Sequence, residues 1–336
     1  MNKFLKFPAL AAFTLMWTGC TLTQEPEGEG IDPTQVKVDV EAVLHLAIPD
    51  NENAYDDILP SVTGEYTRRF IVEAVTPDGT VAERQESFAT LEEGKTEYTL
   101  KTRMRLNARQ YKLLVWSDYT EATNPTAPLY YNASSLTPVM PNGNYVGNND
   151  RKDCFRACEN LDLRALRDSW DATVTRDVTL TRPVGRYEII TTDLGAFRKR
   201  LADGSISGTE FTVRVRYADY HATGYNVLQN VPKNFLSYTF YRTTLKSENW
   251  NADQASMRLA FDYCFVEPGT AGSQLPLEIE IVNEKNQQVS RSVITIPVVQ
   301  GYNTVVSGRF MTGTDDGSVN VDSEYDGTID IDLGKI

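Results

Sequence analysis

The chain has few of the residues from which active sites are built. Its 336 residues include two histidines and four cysteines, and no G-x-S-x-G, P-loop, G-x-G-x-x-G or H-E-x-x-H motif occurs. His45 falls between Leu44 and Leu46 in a strand pattern, and His221 falls in a predicted turn, so both are interpreted as structural rather than as catalytic bases. Because catalysis needs a constellation of reactive groups, the sequence predicts a protein that is not an enzyme and has no cofactor and no metal site.

Positive charge and long apolar runs are also scarce. Lys and Arg number 33 against 46 Asp and Glu, which gives a formal net charge of −13. Such a surface repels phosphates, so a nucleic-acid partner is excluded. The apolar run from Phe7 to Trp17 is too short to span a bilayer as a stable helix, and no later stretch is long enough to do so.

The first 19 residues nevertheless have the layout of a secretory signal peptide. Lys3 and Lys6 precede the apolar run, and a small Thr-Gly pair stands directly before Cys20. This arrangement resembles the lipobox of bacterial lipoproteins. It predicts a mature chain that begins at Cys20 and is held in the outer membrane, at the cell surface, by acyl chains on that sulfur. The alternative is ordinary cleavage that leaves a free thiol.

A flexible acidic tether is predicted over residues 20–35. This segment contains Glu25, Glu27 and Glu29 together with prolines and glycines, a composition that cannot bury enough apolar surface to fold. Acidic residues close behind a lipidated cysteine resemble the surface-export signal of Bacteroidetes lipoproteins. The alternative is a linker that is merely solvated.

From residue 36 the chain alternates short β-type runs with turn residues, which is typical of sandwiches rather than of βαβ units. In the first run Val36, Val38 and Val40 alternate with polar residues, so one face is apolar. The sequence predicts an all-β protein with two antiparallel sandwich domains, residues 36–172 and 173–336. The strand candidates are VKVDVEAVLHLAI, RRFIVEAV, EYTLKTRMRL, YKLLVWSDY, EFTVRVRYADY, SYTFYRTTL, MRLAFDYCFV, LPLEIEIVN, SVITIPVVQ, NTVVSGRF, SVNVD and GTIDIDL.

Residues 120–170 depart from this alternation of short strands and turns. Residues 120–153 are rich in proline and predict a long, decorated loop, and residues 154–170 predict a short helix. Cys154 and Cys158 would share a face of that helix. Together with Cys264 they can form at most one disulfide, and buried thiols are favoured over a bridge.

Two further groups of residues suggest binding. The segment TDDGSVNVD offers oxygen ligands for calcium from Asp315, Asp316, Asn320 and Asp322, although a solvated turn is favoured because the spacing is not that of an EF-hand. Tyrosine is abundant, at 17 residues, and an exposed aromatic cluster would suit sugar stacking, whereas packing within a sheet is the more ordinary role. The aromatic clusters are Trp116 with Tyr119, Tyr130 with Tyr131, and Tyr217 with Tyr220.

Segments along the whole chain carry a resemblance to a known family. They are RRFIVEAV, YKLLVWSDY, LYYNASSL, TLTRPVGRYEIITTDL, IPVVQGYNTVVSGRFMTG and GTIDIDL. With the lipobox, the tether and the two β halves, they resemble fimbrillin-like proteins of Bacteroidetes, the lipoprotein precursors of type V pili. The resemblance implies two tandem Greek-key (transthyretin-like) sandwiches with a short helix and long loops.

The resemblance also implies assembly by strand exchange with other fimbrial subunits. In that family a protease removes an early strand and opens a groove for a strand of a neighbour. Here the strand that starts with Val36, Val38 and Val40 would be removed, by cleavage after Arg68 or Arg69. The protein would then be a stalk, anchor or tip subunit of a pilus. The alternative is a surface lipoprotein that does not polymerise and binds glycans or host proteins.

Overall fold

The computed structural model describes residues 36–47, 64–92, 97–169, 171–236, 239–313, 316–317 and 328–332. These residues form two β-sandwiches in tandem, which confirms the predicted fold class. The 3₁₀ turns cover Asp150–Lys152, Arg164–Leu166 and Ser247–Asn249.

The first sandwich packs a three-stranded sheet against a four-stranded one. Its strands are β1 (Lys37–Ala47), β2 (Tyr66–Val75), β3 (Val81–Thr90), β4 (Glu97–Asn107), β5 (Gln110–Glu121), β6 (Tyr131–Asn132), β7 (Met140–Pro141), β8 (Phe155–Asp162) and β9 (Thr173–Thr179). The sheet orders are β4-β1-β9 and β3-β2-β5-β8, with β6 and β7 as a separate ribbon. Alternate residues of the facing strands, such as Val38, Phe70 and Val115, form the first core.

The second sandwich has a similar plan and continues to the last described strand. Its elements are β10 (Val184–Thr191), α1 (Leu194–Ala202), β11 (Glu210–Tyr217), β12 (His221–Asn226), β13 (Val231–Leu236), β14 (Phe240–Lys246), β15 (Met257–Phe265), β16 (Ser273–Asn283), β17 (Gln288–Val298), β18 (Asn303–Gly308), β19 (Asp316–Gly317) and β20 (Thr328–Asp332). The sheet orders are β15-β10-β18-β20 and β14-β11-β16-β17-β19. As the alternation predicted, Leu277, Ile279 and Ile281 face the core.

A third apolar cluster joins the two sandwiches. It contains Trp116 from β5, Val139 from the long loop, and Tyr225 and Phe265 from the second sandwich. Val139 and Tyr225 form an isolated antiparallel bridge, with N–H to O distances of 2.7 and 2.9 Å. The loop predicted over residues 120–153 is therefore the packing between domains, and β5 is apolar on both faces because each face lies against a core.

The structure corrects the predicted helix. Residues 155–162 form β8, which pairs antiparallel with β5. The apolar residues of this segment fit a two-residue period: Phe155 and Ala157 point into the first core, while Cys154 and Cys158 meet the cluster between the domains. The two cysteines share a face, as predicted, but on a strand.

The boundary between the domains lies later than predicted. β9 begins at Thr173 and pairs in parallel with β1, so the first sandwich extends to Thr179 rather than ending at residue 172. Parallel pairs also join β10 to β18 and β18 to β20, so the sheets are mixed rather than purely antiparallel. Parallel neighbours need a long crossover connection, which local alternation of residues does not reveal.

Candidate functional site

β1, the candidate for the removed strand, lies in the middle of its sheet. It pairs antiparallel with β4 along all 11 of its residues. On the other side it pairs in parallel with β9 from Asp39 to His45. Because both edges of β1 are occupied, its removal would leave two rows of backbone donors and acceptors without partners in the same groove.

The inner face of β1 is wholly apolar. Its buried side chains are Val36, Val38, Val40, Ala42, Leu44 and Leu46, each 5% exposed or less. This confirms the predicted alternation. Burial of these six side chains contributes roughly 10 kcal/mol to the free energy of folding, since burying one Val or Leu contributes about 1.5 to 3 kcal/mol. A strand that replaced β1 would need apolar residues at the same two-residue spacing.

The outer face of β1 carries charges. Glu41 accepts hydrogen bonds from Lys101 and Arg103 on β4, each at 3.1 Å, and these bonds hold the pKa of Glu41 below its ordinary value. His45 Nε2 lies 2.9 Å from Asp177 Oδ1 on β9. Exposed ion pairs such as these contribute little to stability. β1 is therefore held mainly by its inner face and its backbone hydrogen bonds.

Arg68 and Arg69, the candidate processing residues, lie in the interior of the protein. Both belong to β2, at the centre of the four-stranded sheet, and they are 0% and 4% exposed. The guanidinium of Arg68 lies 3.7 Å from the ring centroid of Tyr119. Arg69 donates two hydrogen bonds to Asp118, at 2.9 and 2.7 Å. Cleavage after either arginine stays a prediction, and it would require β2 to leave its sheet.

The family model for DUF6562, described as a family of unknown function, matches residues 33–334. The match spans both sandwiches, from before β1 to beyond β20. The chain belongs to the DUF6562 family. No curated protein matches its sequence.

Solved structures similar to this DUF6562 protein include proteins of Bacteroides, Porphyromonas and Parabacteroides. One, described as a cell adhesion protein from Bacteroides eggerthii, is 12% identical with a TM-score of 0.46, covering 91% of this chain and 100% of the other. The fimbrial anchor protein Mfa2 from Porphyromonas gingivalis is 12% identical with a TM-score of 0.41, covering 76% and 81%. A fimbrial assembly protein from Parabacteroides distasonis is 11% identical with a TM-score of 0.39, covering 85% and 95%.

The DUF6562 chain also buries a polar cluster where the two sandwiches meet. Asp262 of β15 accepts hydrogen bonds from the hydroxyls of Tyr145 (2.5 Å) and Tyr217 (2.7 Å) and from the ammonium of Lys152. Tyr145 also contacts His221 Nε2 at 3.0 Å. The His221 ring stacks on Tyr217, with the centroids 3.9 Å apart. Sequence reasoning missed this cluster because its members come from three segments that are distant in the sequence.

The chemistry of this cluster is that of a structural network. Burial lowers the pKa of His221 to about 3, with Lys152 adding a smaller repulsion, so the imidazole is neutral at ordinary pH. Burial raises the pKa of the Tyr145 and Tyr217 hydroxyls well above their ordinary values. Neither a poised base nor an activated nucleophile results. The prediction that His221 lies in a turn is wrong, since it begins β12.

The predicted aromatic clusters do not form a stacking surface. Trp116 and Tyr119 are three residues apart on one strand and point to opposite faces of their sheet, into different cores. Tyr131 and Tyr217 are 4% and 1% exposed, whereas Tyr220 is 68% exposed. Other exposed rings in the described residues are Phe235 at 51% and Phe240 at 49%, which the sequence reasoning did not single out.

The three described cysteines are free thiols, as predicted. Cys154 and Cys264 are fully buried, and burial raises the pKa of each thiol. Cys158 is partly buried. Burial thus makes Cys154 and Cys264 poor nucleophiles.

Other predicted features fall wholly or partly outside the described residues. These are the signal peptide, Cys20, the tether, the strand SVNVD, and the calcium candidates Asp315, Asn320 and Asp322. Within the described ranges no group of three or more His, Cys, Asp or Glu side chains is arranged to hold a metal ion. No helix in those ranges is both long enough and apolar enough to cross a membrane.

Proposed function

We propose that this DUF6562 protein is a fimbrillin-like lipoprotein, made as a precursor that is held at the cell surface through Cys20. Once cleavage removes the anchor together with β1, it serves as a structural or adhesive subunit of a fimbria and contacts other subunits by strand exchange at the β1 groove. It acts through its surfaces and not as an enzyme. The observation that carries the proposal is β1 itself: an amphipathic strand, first among the described elements, that fills the middle of a sheet.

The groove of β1 suits exchange for a physical reason. Withdrawal of β1 would expose a long apolar channel and two rows of unpaired backbone groups, and one incoming strand satisfies both needs at once. Since β1 precedes every other described element, its release breaks a single chain connection, the one to β2. The exposed ion pairs on its outer face add little to hold it.

The chain itself contains a candidate donor strand. β20 lies at the edge of its sheet and pairs only with β18, over five residues, among the described strands. Its sequence, TIDID, places Ile329 and Ile331 two residues apart, which is the spacing of the inner face of β1. A strand with one neighbour is released more easily than one with two, so β20 of one copy is the proposed occupant of the β1 groove of another.

A disulfide lock tests the exchange. Glu41 and Arg103 are direct cross-strand partners, so the double variant Glu41→Cys with Arg103→Cys should tie β1 to β4 in oxidising buffer. We expect the locked protein to give no ladder of oligomers on unboiled gels, and reduction to restore the ladder. The matched control is Glu210→Cys with Lys246→Cys, which replaces an exposed cross-strand ion pair of the second sandwich. A ladder from the locked protein would overturn the exchange at β1.

A second candidate function is favoured by the burial of Arg68 and Arg69. No Lys or Arg occurs between Lys37 and Arg68, so a protease that cuts after basic residues has no other site between β1 and β2. A chain that keeps β1 would be a surface lipoprotein that binds glycans or host proteins without polymerising. The N-terminus of surface-extracted protein decides between the two. A start at Arg69 or Phe70 supports exchange, and an intact chain that begins at acylated Cys20 supports the second candidate.

The lipid anchor has its own test. The variant Cys20→Ser should fail to incorporate labelled palmitate and should leave the membrane fraction. Cys158→Ser, which removes a partly buried thiol of β8, is the matched control and should keep both properties. Retention of the label by Cys20→Ser would contradict anchoring at that residue.

A further inference from the structure

The outer face of the second sandwich contains a groove with an unusual charge. The groove has a cavity volume of about 250 Å³ and lies on the five-stranded sheet, across β14, β11 and β16. This is just below the range of ligand sites, roughly 300 to 1,000 Å³, so the groove fits part of an extended ligand rather than enclosing a whole one. The residues that define this arginine groove are Arg214, Arg216, Phe240, Arg242, Glu278 and Glu280.

Two of these arginines face each other directly. Arg214 on β11 and Arg242 on β14 are cross-strand partners, and Arg216 is the partner of Phe240 in the next row. Side chains in such pairs are about 5 Å apart at Cβ, and like charges placed directly opposite destabilise a sheet. The chain has a net charge of −13, so acidic residues are common on it, yet the residue opposite Arg214 is a second arginine. Such a pair would be stabilised by an anion bound from outside the chain.

The glutamates of the groove do not cancel this charge at its surface. Glu280 is paired with Arg214 at 3.0 Å, and Glu278 with Arg216 at 3.4 Å. Their side chains are only 27% and 17% exposed, against 51% for Arg216. The carboxylates of Glu278 and Glu280 are therefore close to the backbone of the sheet, while the guanidinium of Arg216 extends into solvent.

Arg242 is the arginine of the groove best placed to bind a ligand. It is exposed, and within the described ranges it forms no ion pair with a carboxylate. Its guanidinium lies 5.5 Å from the ring centroid of Phe240, and that ring is 49% exposed. The planar guanidinium of Arg242, which can donate two parallel hydrogen bonds, therefore lies beside the exposed ring of Phe240.

We propose that the arginine groove binds a carboxylated carbohydrate, such as a chain of hexuronic acid units. Arginine recognises a carboxylate through two parallel hydrogen bonds. The apolar face of a sugar ring packs on an aromatic side chain such as Phe240. An acidic peptide would use the same charges but would not need the aromatic ring. The proposal does not rest on strand exchange, because the groove lies on the other sandwich from β1.

Titration of the full chain with tetragalacturonate at low salt tests the proposal, and its fully methyl-esterified form serves as the neutral probe. We expect the acid to bind and the ester not to bind. Arg242→Glu should weaken binding of the acid at least tenfold, which is about 1.4 kcal/mol. Phe240→Ala should also weaken it. The matched control is Arg176→Glu, which makes the same charge change at an exposed position of β9 and should bind as the unchanged protein does.

The stability of the same variant supplies a second readout. Arg242→Glu places a carboxylate opposite Arg214, so we expect the melting temperature of the free protein to be unchanged or raised while binding is lost. Three results would overturn the proposal: no binding of the acid at low salt, equal weakening by Arg242→Glu and Arg176→Glu, or equal binding of tetraglutamate together with no effect of Phe240→Ala. The last result would assign the groove to an acidic peptide.

Discussion

β1 of the first sandwich and β10 of the second have equivalent positions in the sheet topology, but their outer faces have different environments. β1 has β4 as its antiparallel neighbour and β9 as its parallel one, while β10 lies likewise between β15 and β18. All eight residues of β10 are buried, because its outer face is covered by the packing between the domains. The outer face of β1 instead carries partly exposed charges. The two strands thus have the same position in their sheets. Both faces of β10 are buried, whereas the outer face of β1 is partly exposed to solvent.

The polar residues of the two outer faces show the same contrast. Glu188 of β10 is 1% exposed and contacts Arg186 and Asn303, the latter through a 2.9 Å hydrogen bond from its amide. Glu41 of β1 sits beside Lys101 and Arg103, whose side chains are 64% and 82% exposed. The proposed exchange depends on this difference, because it requires β1 to leave while β10 stays.

The largest effect is expected from a charge placed in either core. Leu44→Asp in β1 and Ile189→Asp in β10 both put a carboxylate at a fully buried position, at a cost on the order of 5 kcal/mol. In calorimetry, Leu44→Asp should abolish the unfolding transition of the first sandwich and keep that of the second. Ile189→Asp should abolish the second. If Leu44→Asp abolished both, β1 would be as integral to the molecule as β10. Lys37→Asp, at an exposed position, is the control.

A smaller effect is expected from the outer face of β10. Glu188→Ala would leave the buried Arg186 with only the more distant Asp150, at 3.7 Å, as a carboxylate partner, so we expect a loss of about 3 kcal/mol, the lower end of the cost of breaking a buried pair. Chemical denaturation of the second sandwich measures the loss. Glu188→Gln keeps the hydrogen-bonding shape and should lose less. A loss below about 1 kcal/mol for Glu188→Ala would mean that water reaches this face and would remove the contrast with β1.

We expect low pH to destabilise the protein through His221, which lies between the two sandwiches. Its pKa is lowered to about 3 in the folded protein from an ordinary 6.5. The unfolded chain therefore takes up a proton between these values and the folded chain does not. Stability should fall as the pH decreases from 6.5 to 3, by about 1.4 kcal/mol per unit from this residue. His221→Phe should reduce the slope, whereas Tyr145→Phe keeps the imidazole and should retain it. An unchanged slope in His221→Phe would contradict burial of a neutral histidine.

The smallest effect is expected at the outer face of β1. Glu41→Ala removes ion pairs to exposed side chains and should lower the free energy of unfolding of the first sandwich by less than Glu188→Ala lowers that of the second. Added salt should shrink the difference between the variant and the unchanged protein. A loss as large as that of Glu188→Ala would show that the two outer faces are equivalent.

Strand periodicity predicted most of the fold, because alternation of polar and apolar residues survives wherever one face meets a core. It succeeded for β1, β11 and β16. It failed for β8, where DCFRACENLDL has apolar residues on both faces and reads as a helix. It also missed α1, although Leu194, Phe197 and Leu201 have helical spacing and Gly204 follows the last turn.

The surfaces and polar clusters were harder to predict than the strands. Arg68, Arg186 and Glu188 are charged residues in strands and would be expected to face water, yet all are buried. Arg68 lies on the first-core face of β2, against Tyr119 and Phe155, while Arg186 pairs with Glu188 and with Asp150 of the long loop. The facing pair Arg214 and Arg242 depends on which strands become neighbours. That choice is made by pairing between distant segments, which no local pattern contains.

The parallel pairing of β1 with β9 has a consequence for how the protein folds. Asp39 meets Thr173, 134 positions further along the chain, and pairing over such a separation slows folding because a long loop must close first. Until β9 is in place, β1 has one edge vacant beside the row of apolar side chains on its inner face. A strand in that state is open to pairing with another chain.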